Sequence, residues 1–190
     1  RCEAQTIGRV DWTLTGVHNV ANALAALAAA RHAGVPPAVG VEALCAFRNV
    51  KRRMELRGEV GGVRVYDDFA HHPTAIRLTL DGLRAQVGES RILAVLEPRS
   101  NTMRMGVHAG ELAAALDPAD AVWVFAPAQL GWDAGAALQA LGKRVRVHDK
   151  TSSLVEEVVA AARPGDQVLV MSNGGFEGIH QRLLDGLAVS

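Results

Sequence analysis

The 190-residue chain sets 20 Lys+Arg against 20 Asp+Glu, a formal net charge of +0. That balance excludes a global basic field for nucleic acid and an acidic tail. Two distant cysteines, Cys2 and Cys45, form neither a disulfide framework nor a metal-ligand spacing, and charges such as Arg31, Arg52 and Arg84 interrupt the long apolar runs, so neither a membrane span nor a signal peptide is expected.

At this length one domain, or one domain plus a fragment, is the natural size. The chain starts at Arg1 in a segment that already reads as the middle of a sheet, so a piece of a longer protein is expected. Residues 1–15 hold Ile7, Val10, Trp12 and Leu14 with polar residues between several of them, the pattern of a short strand or hairpin. Gly16 breaks it. An alanine-rich helix follows from His18, with Val20, Leu24, Leu27 and Arg31 at helical spacings and Gly34 at its end. Pro36-Pro37 open a second helix over 37–47. The composition turns basic at Arg48-Asn49-Val50-Lys51, which places a domain boundary between 1–49 and 50–190.

The second part begins with two alternating runs, 53–60 and 63–67, around Gly61-Gly62, a hairpin signal. Helices are then expected at 73–87, 107–116, 134–141, 151–162 and 179–187. Short apolar strands at 92–96, 121–125, 144–148 and 167–171 alternate with them. That alternation predicts an α/β fold, a Rossmann-like, doubly wound and mostly parallel sheet preceded by a short helical segment.

In such a sheet ligands bind at the carboxyl ends of the strands. The exits are Asp67–His72, the loop Glu97–Met105, Ala126–Gln129 and Ser172–Gly178. The first packs two carboxylates and two histidines together. The second carries Arg99 and Arg104, whose planar forks suit carboxylate or phosphate. The glycine-rich last exit lets backbone N–H groups approach an anion. Together they read as a site for an anionic, polar small molecule. Each has a plainer counterpart: a tight turn, solvated arginines, or a helix cap at His72 or Thr74. Asn19 and Asn22 also suit a polar helix start. His32 and His108 read as surface helix residues, and His180 is open.

Several stretches together resemble the Mur ligase family. Gly16–Ala26 is similar to the end of that family's central ATPase domain. Arg52-Arg53-Met54-Glu55, followed by Tyr66–Pro73, is similar to the start of its C-terminal domain. Within the family, Glu97–Met103 and Met171–Phe176 look most like the cell-wall recycling member. The resemblance implies an ATP- and Mg2+-dependent amide ligase. It would join L-alanyl-γ-D-glutamyl-meso-diaminopimelate to UDP-N-acetylmuramate through an acyl phosphate. It further implies a bacterial cytoplasmic setting, with no nucleic acid or membrane partner.

Residue by residue, the resemblance puts His18, Asn19 and Asn22 at the adenine. Arg53 falls at the nucleotide phosphates and Asp68 near the ribose, these two being the catalytic candidates. His71, His72, Arg99, Ser100, Asn101, Thr102, Arg104 and Asn173 would face the tripeptide. No GxxxxGK[ST] loop occurs. The phosphate loop, the carbamylated lysine, the main Mg2+ ligands and the nucleotide-sugar domain are therefore expected upstream, on missing parts of the same protein, and this piece alone should be inactive. No metal site is expected here. Rival readings are a sibling ligase adding L-alanine, a non-catalytic nucleotide- or peptide-binding module, a nicotinamide oxidoreductase half that lacks GxGxxG, and a zinc hydrolase on His71-His72 that lacks HExxH spacing.

Overall fold

The computed structural model describes residues 5–189. The chain divides into two compact units between Val50 and Lys51. The first unit holds helices α1 (Val17–His32) and α2 (Pro37–Cys45). α1 ends in a left-handed glycine: Gly34 has φ 91° and donates to the Arg31 carbonyl, while Val35 N–H reaches back to Ala30 O at 2.9 Å. Ala23 is the buried residue of α1, whereas Val20 and Leu24 are 57% and 59% exposed. So much alanine leaves the helix apolar nearly all round, and sequence periodicity does not pick out its packed face.

The strand or hairpin expected at residues 1–15 does not appear over the described part of that stretch. Over the described part, 5–15, there is one isolated bridge at Gln5. A strand needs a ladder partner, and this segment is tied instead to Cys45. Its sulfur accepts the Asp11 N–H at 3.4 Å and donates to the Arg9 carbonyl at 3.6 Å. Residues 1–4, with Cys2, lie outside the described residues.

The second unit is a six-stranded sheet in the order β1-β2-β6-β3-β4-β5. The strands are β1 (Glu55–Val60), β2 (Val63–Asp68), β3 (Ile92–Leu96), β4 (Ala121–Phe125), β5 (Val145–His148) and β6 (Gln167–Met171). β1 and β2 form an antiparallel hairpin; every other pairing is parallel. Val60 pairs with Val63 across Gly61 (φ 58°) and Gly62 (φ 76°), the double positive-φ turn that matches strand twist. The helices are α3 (Pro73–Val87), α4 (Asn101–Arg104), α5 (Ala109–Leu116), α6 (Ala134–Ala137), α7 (Thr151–Ala161) and α8 (Ile179–Ala188).

Alternation along the strands divides the core into two layers. Ile92, Ala94 and Leu96 of β3 pack with Ile76, Leu80 and Leu83 of α3 and with Leu112 and Leu116 of α5. Leu93 and Val95 face the other way, among Leu154 and Val158 of α7 and Ile179 and Leu183 of α8. The fold is thus a doubly wound, mostly parallel α/β sheet with a hairpin at its start, as expected.

Two local expectations change. The stretch 97–105, expected as a loop, contains α4, because Ser100 caps it by accepting the Met103 N–H at 3.4 Å. The helix expected at 134–141 stops at Ala137 and continues as a 3-10 turn, Gln139–Arg144, in which Gly142 adopts φ 57°.

Candidate functional site

β2, β6 and β3 lie side by side at the sheet centre. The helices after β2 and β3 pack on one face and the helix after β6 on the other. Chain leaves the neighbouring strands in opposite directions there, which opens the crevice where ligands bind in such sheets. The exits of β2, β6, β3 and β4 meet along this edge.

On the hairpin side the charged groups are spent on one another. Asp68 is buried, and its carboxylate accepts from Met54 N–H and Ala70 N–H, each at 2.8 Å, and from Thr79 Oγ1 at 3.4 Å. Burial pushes its pKa up, against the pull of those donors and of Arg53. The bond to Met54 closes a turn in which Arg52 and Met54 take φ 59° and 50°. Left-handed backbone costs a non-glycine residue on the order of 1–2 kcal/mol. Phe69 N–H to Arg52 O at 2.8 Å and Arg52 N–H to Glu55 at 2.8 Å help hold it. The turn presents Arg53, which is exposed and packs 5.6 Å from the Phe69 ring centroid.

Arg52 is the hub of this side. Its guanidinium donates to Asp67 at 3.3 Å and to the carbonyls of Ser172 and Gly174 at 2.6 and 2.8 Å, joining the exits of β2 and β6. Asp67, also buried, lies 3.4 Å from His180 and 3.9 Å from Arg57. Burial holds the His180 imidazole below its ordinary pKa, with Asp67 pulling the other way and Arg57 and Arg52 adding to the depression.

On the β3 side the groups stay open. A cleft of about 260 Å³ is lined by Glu97, Pro98, Arg99 and Arg104 on one side and by Phe125, Pro127, Gln129 and Leu130 on the other. Glu97 is anchored by the Ser172 hydroxyl, which donates to its Oε2 and accepts the Gly174 N–H at 2.9 Å. Arg99 lies flat on Gly174, where a Cβ would sit 2.3 Å from Nη1. Only glycine admits that approach. Ser100 caps α4 and lies 3.3 Å from Thr102 Oγ1; Asn101 and Thr102 are exposed. Asn173 Oδ1 is buried without a hydrogen-bond partner.

The histidines split in role. His71 donates Nδ1–H to the Phe69 carbonyl at 2.8 Å. His72 caps α3, its Nδ1 accepting the Thr74 N–H at 3.4 Å, and its ring meets that of His108 edge-on at 4.3 Å. His108 is therefore a ring contact just ahead of α5, not the surface helix residue expected. In the first unit, Asn19 donates to Thr15 O at 2.7 Å and to His18 Nε2 at 3.2 Å, and Asn22 donates to Asn19 at 3.3 Å. The structure thus brings His18, Asn19 and Asn22 into one bonded set.

A sequence model of the family described as "Mur ligase, glutamate ligase domain" matches residues 52–174. The chain belongs to the Mur ligase family. It is 53% identical over 187 residues to the UDP-N-acetylmuramate–L-alanyl-gamma-D-glutamyl-meso-2,6-diaminoheptandioate ligase of Escherichia coli (strain K12), covering 98% of this chain and 41% of that protein. To the UDP-N-acetylmuramate–L-alanine ligase of Streptomyces avermitilis it is 41% identical, covering 93% and 40%. The crystal structure of a murein peptide ligase from Psychrobacter arcticus matches at TM-score 0.74 and 43% identity, over 94% of this chain and 38% of that one. The chain therefore spans about two fifths of the length of these Mur ligase relatives.

Several residues of the site are not predicted by the sequence. Arg52 ties the exits together through Asp67, and Phe125 and Leu130 join the far wall of the cleft. The position of 126–129 at a strand exit is the one signal that points to that wall.

Proposed function

We propose that this Mur ligase segment is the carboxyl-terminal part of an enzyme that uses ATP, with Mg2+, to join L-alanyl-γ-D-glutamyl-meso-diaminopimelate to UDP-N-acetylmuramate in the bacterial cytoplasm. Residues 1–49 would close the central ATP-binding domain and 50–190 form the domain that brings the amine substrate. The cleft carries this reading: two guanidiniums and one carboxylate line it between the exits of β3 and β4, beside the switch point at β6. That set suits a ligand with several carboxylates and an amine. The higher identity to a ligase named for the tripeptide than to one named for L-alanine supports the same choice.

ATP supplies the phosphoryl group that activates a carboxylate. Toward it this chain offers the exposed Arg53 guanidinium and, in the first unit, the set His18, Asn19 and Asn22. The three donors on Asp68 support a role in holding the Arg53 turn. Among the described residues no group of three or more His, Cys, Asp or Glu side chains could hold a metal ion. In this reading the Mg2+ ligands belong to the central domain. His71, His72, Arg99, Ser100, Asn101, Thr102, Arg104 and Asn173 are the proposed peptide-facing residues. No described helix is long and apolar enough to cross a membrane.

The test is a competition. Full-length protein given ATP, UDP-N-acetylmuramate and equimolar tripeptide and L-alanine should incorporate the tripeptide. Preferred incorporation of L-alanine would move the assignment to the alanine-adding ligases, and no product from either would remove it. Arg53→Ala should cut ligation at least about a hundredfold, the scale of a lost transition-state charge contact, while the unfolding midpoint holds.

A further inference from the structure

The two walls of the cleft come from separate stretches of chain, and one side chain fastens them together. Trp132, just after the wall formed by Gln129 and Leu130, donates its Nε1–H to the Met103 carbonyl at 2.6 Å. Beside it, the Gly131 N–H donates to the Arg104 carbonyl at 2.9 Å. The indole lies against Gly106, where a Cβ would stand 2.9 Å from Cδ1 and Cγ. Two consecutive carbonyls at the end of α4 are thus held by two consecutive residues of the segment after β4.

α4 is four residues long. A helix of that length has too few hydrogen bonds to hold its own shape, so its position is set by what it is fastened to. Arg104 is the last residue of α4 and lines the cleft. The aim of its guanidinium and the spacing of the walls therefore depend on the same latch.

We infer that Trp132 is a positioning residue for peptide specificity, fixing the wall that carries Arg104 at the separation a multi-carboxylate peptide requires. This rests on the cleft being the amine-substrate site. A ligand with one carboxylate is held by one guanidinium and tolerates a shift of the second. A peptide with carboxylates spread along its backbone needs both forks at a set distance, and ordering them in advance removes that cost from binding.

The test uses the full-length protein. Trp132→Phe keeps a ring on Gly106 and removes the indole donor. Tripeptide KM should rise about five- to tenfold, the factor expected for one hydrogen bond, while kcat and the KM for ATP stay within about twofold. Gly131→Ala is the second variant, because its Cβ would meet the Arg104 carbonyl at 2.9 Å and force the walls apart. It should give the same split, and it keeps the test open if Trp132→Phe fails to fold. Unchanged tripeptide KM in a folded variant overturns the inference, as does an equal change in the KM for ATP and in kcat, which marks a merely structural role. A wild-type protein that ligates no tripeptide overturns the underlying functional reading as well, and that control tells the two failures apart.

Discussion

On the hairpin side of β6, Asp68 takes three donors from its own chain, and Arg52 spreads its guanidinium over Asp67 and two carbonyls. On the β3 side, Arg99 and Arg104 line an open cleft, Glu97 has one oxygen on Ser172, and Asn173 keeps a buried oxygen without a partner. Both clusters are rich in charge and both sit at the same sheet edge. One is closed on itself and works as a frame. The other lines an open cleft, and the proposed function gives its polar groups to the peptide. Density of ionisable residues alone does not distinguish a site from its scaffold; hydrogen-bond bookkeeping does.

That contrast predicts that substitutions at Asp68, Arg52 and Asp67 change stability, and substitutions on the cleft side change binding. The largest effect should come from Arg52→Met, which leaves Asp67 and the Ser172 and Gly174 carbonyls short of a donor. We expect a loss of about 3 kcal/mol in urea unfolding, the low end for breaking a buried pair, because the Arg52 side chain is 29% exposed. A loss below about 1 kcal/mol would break the comparison.

Gly174→Ala should do the reverse. The new Cβ meets Cδ, Cζ and Nη1 of Arg99, a flexible side chain that can swing away. Stability should change by less than about 0.5 kcal/mol. Tripeptide KM should rise a few-fold, about one displaced charge contact. Equal loss of stability and binding would mean that the cleft side is also scaffold.

The smallest effect is in the pH dependence. His180 titrates below its ordinary value of 6.5, mainly because it is buried. Its neutral form is favoured in the native state, so the unfolded chain takes up a proton first on acidification. The stabilisation is present above pH 6.5 and is lost as pH falls through the lowered native value. Unfolding midpoints measured downward from neutral pH should fall less steeply in His180→Gln than in the wild type. Parallel slopes would show that His180 is not part of the closed cluster's electrostatics.

Much of the frame was legible in residue order. Gly61-Gly62 between two alternating runs specified the hairpin, because a two-residue turn with both φ positive is open to glycine at little cost. The runs 92–96, 121–125 and 167–171 were read as strands with the observed limits, since a strand buried on both faces shows as a short continuous apolar block. Pro73 marked the start of α3. Over the described residues 5–15, the strand or hairpin expected near the start gives way to backbone bonds with Cys45. The helix α4 was hidden because four residues carry too little periodicity to register.

What the sequence determined by itself is the order and type of the main elements and the four strand exits where chemistry collects. Those follow from local propensity, period and turn residues. Which charged residues are tied to one another and which line the cleft follows from contacts between distant stretches. Arg52 meets Ser172 and Gly174 120 and 122 residues away, and Trp132 meets Met103 across 29. No local pattern carries such pairings. They exist because β6 inserts between β2 and β3 and β4 pairs with β3, bringing distant exits within hydrogen-bond reach.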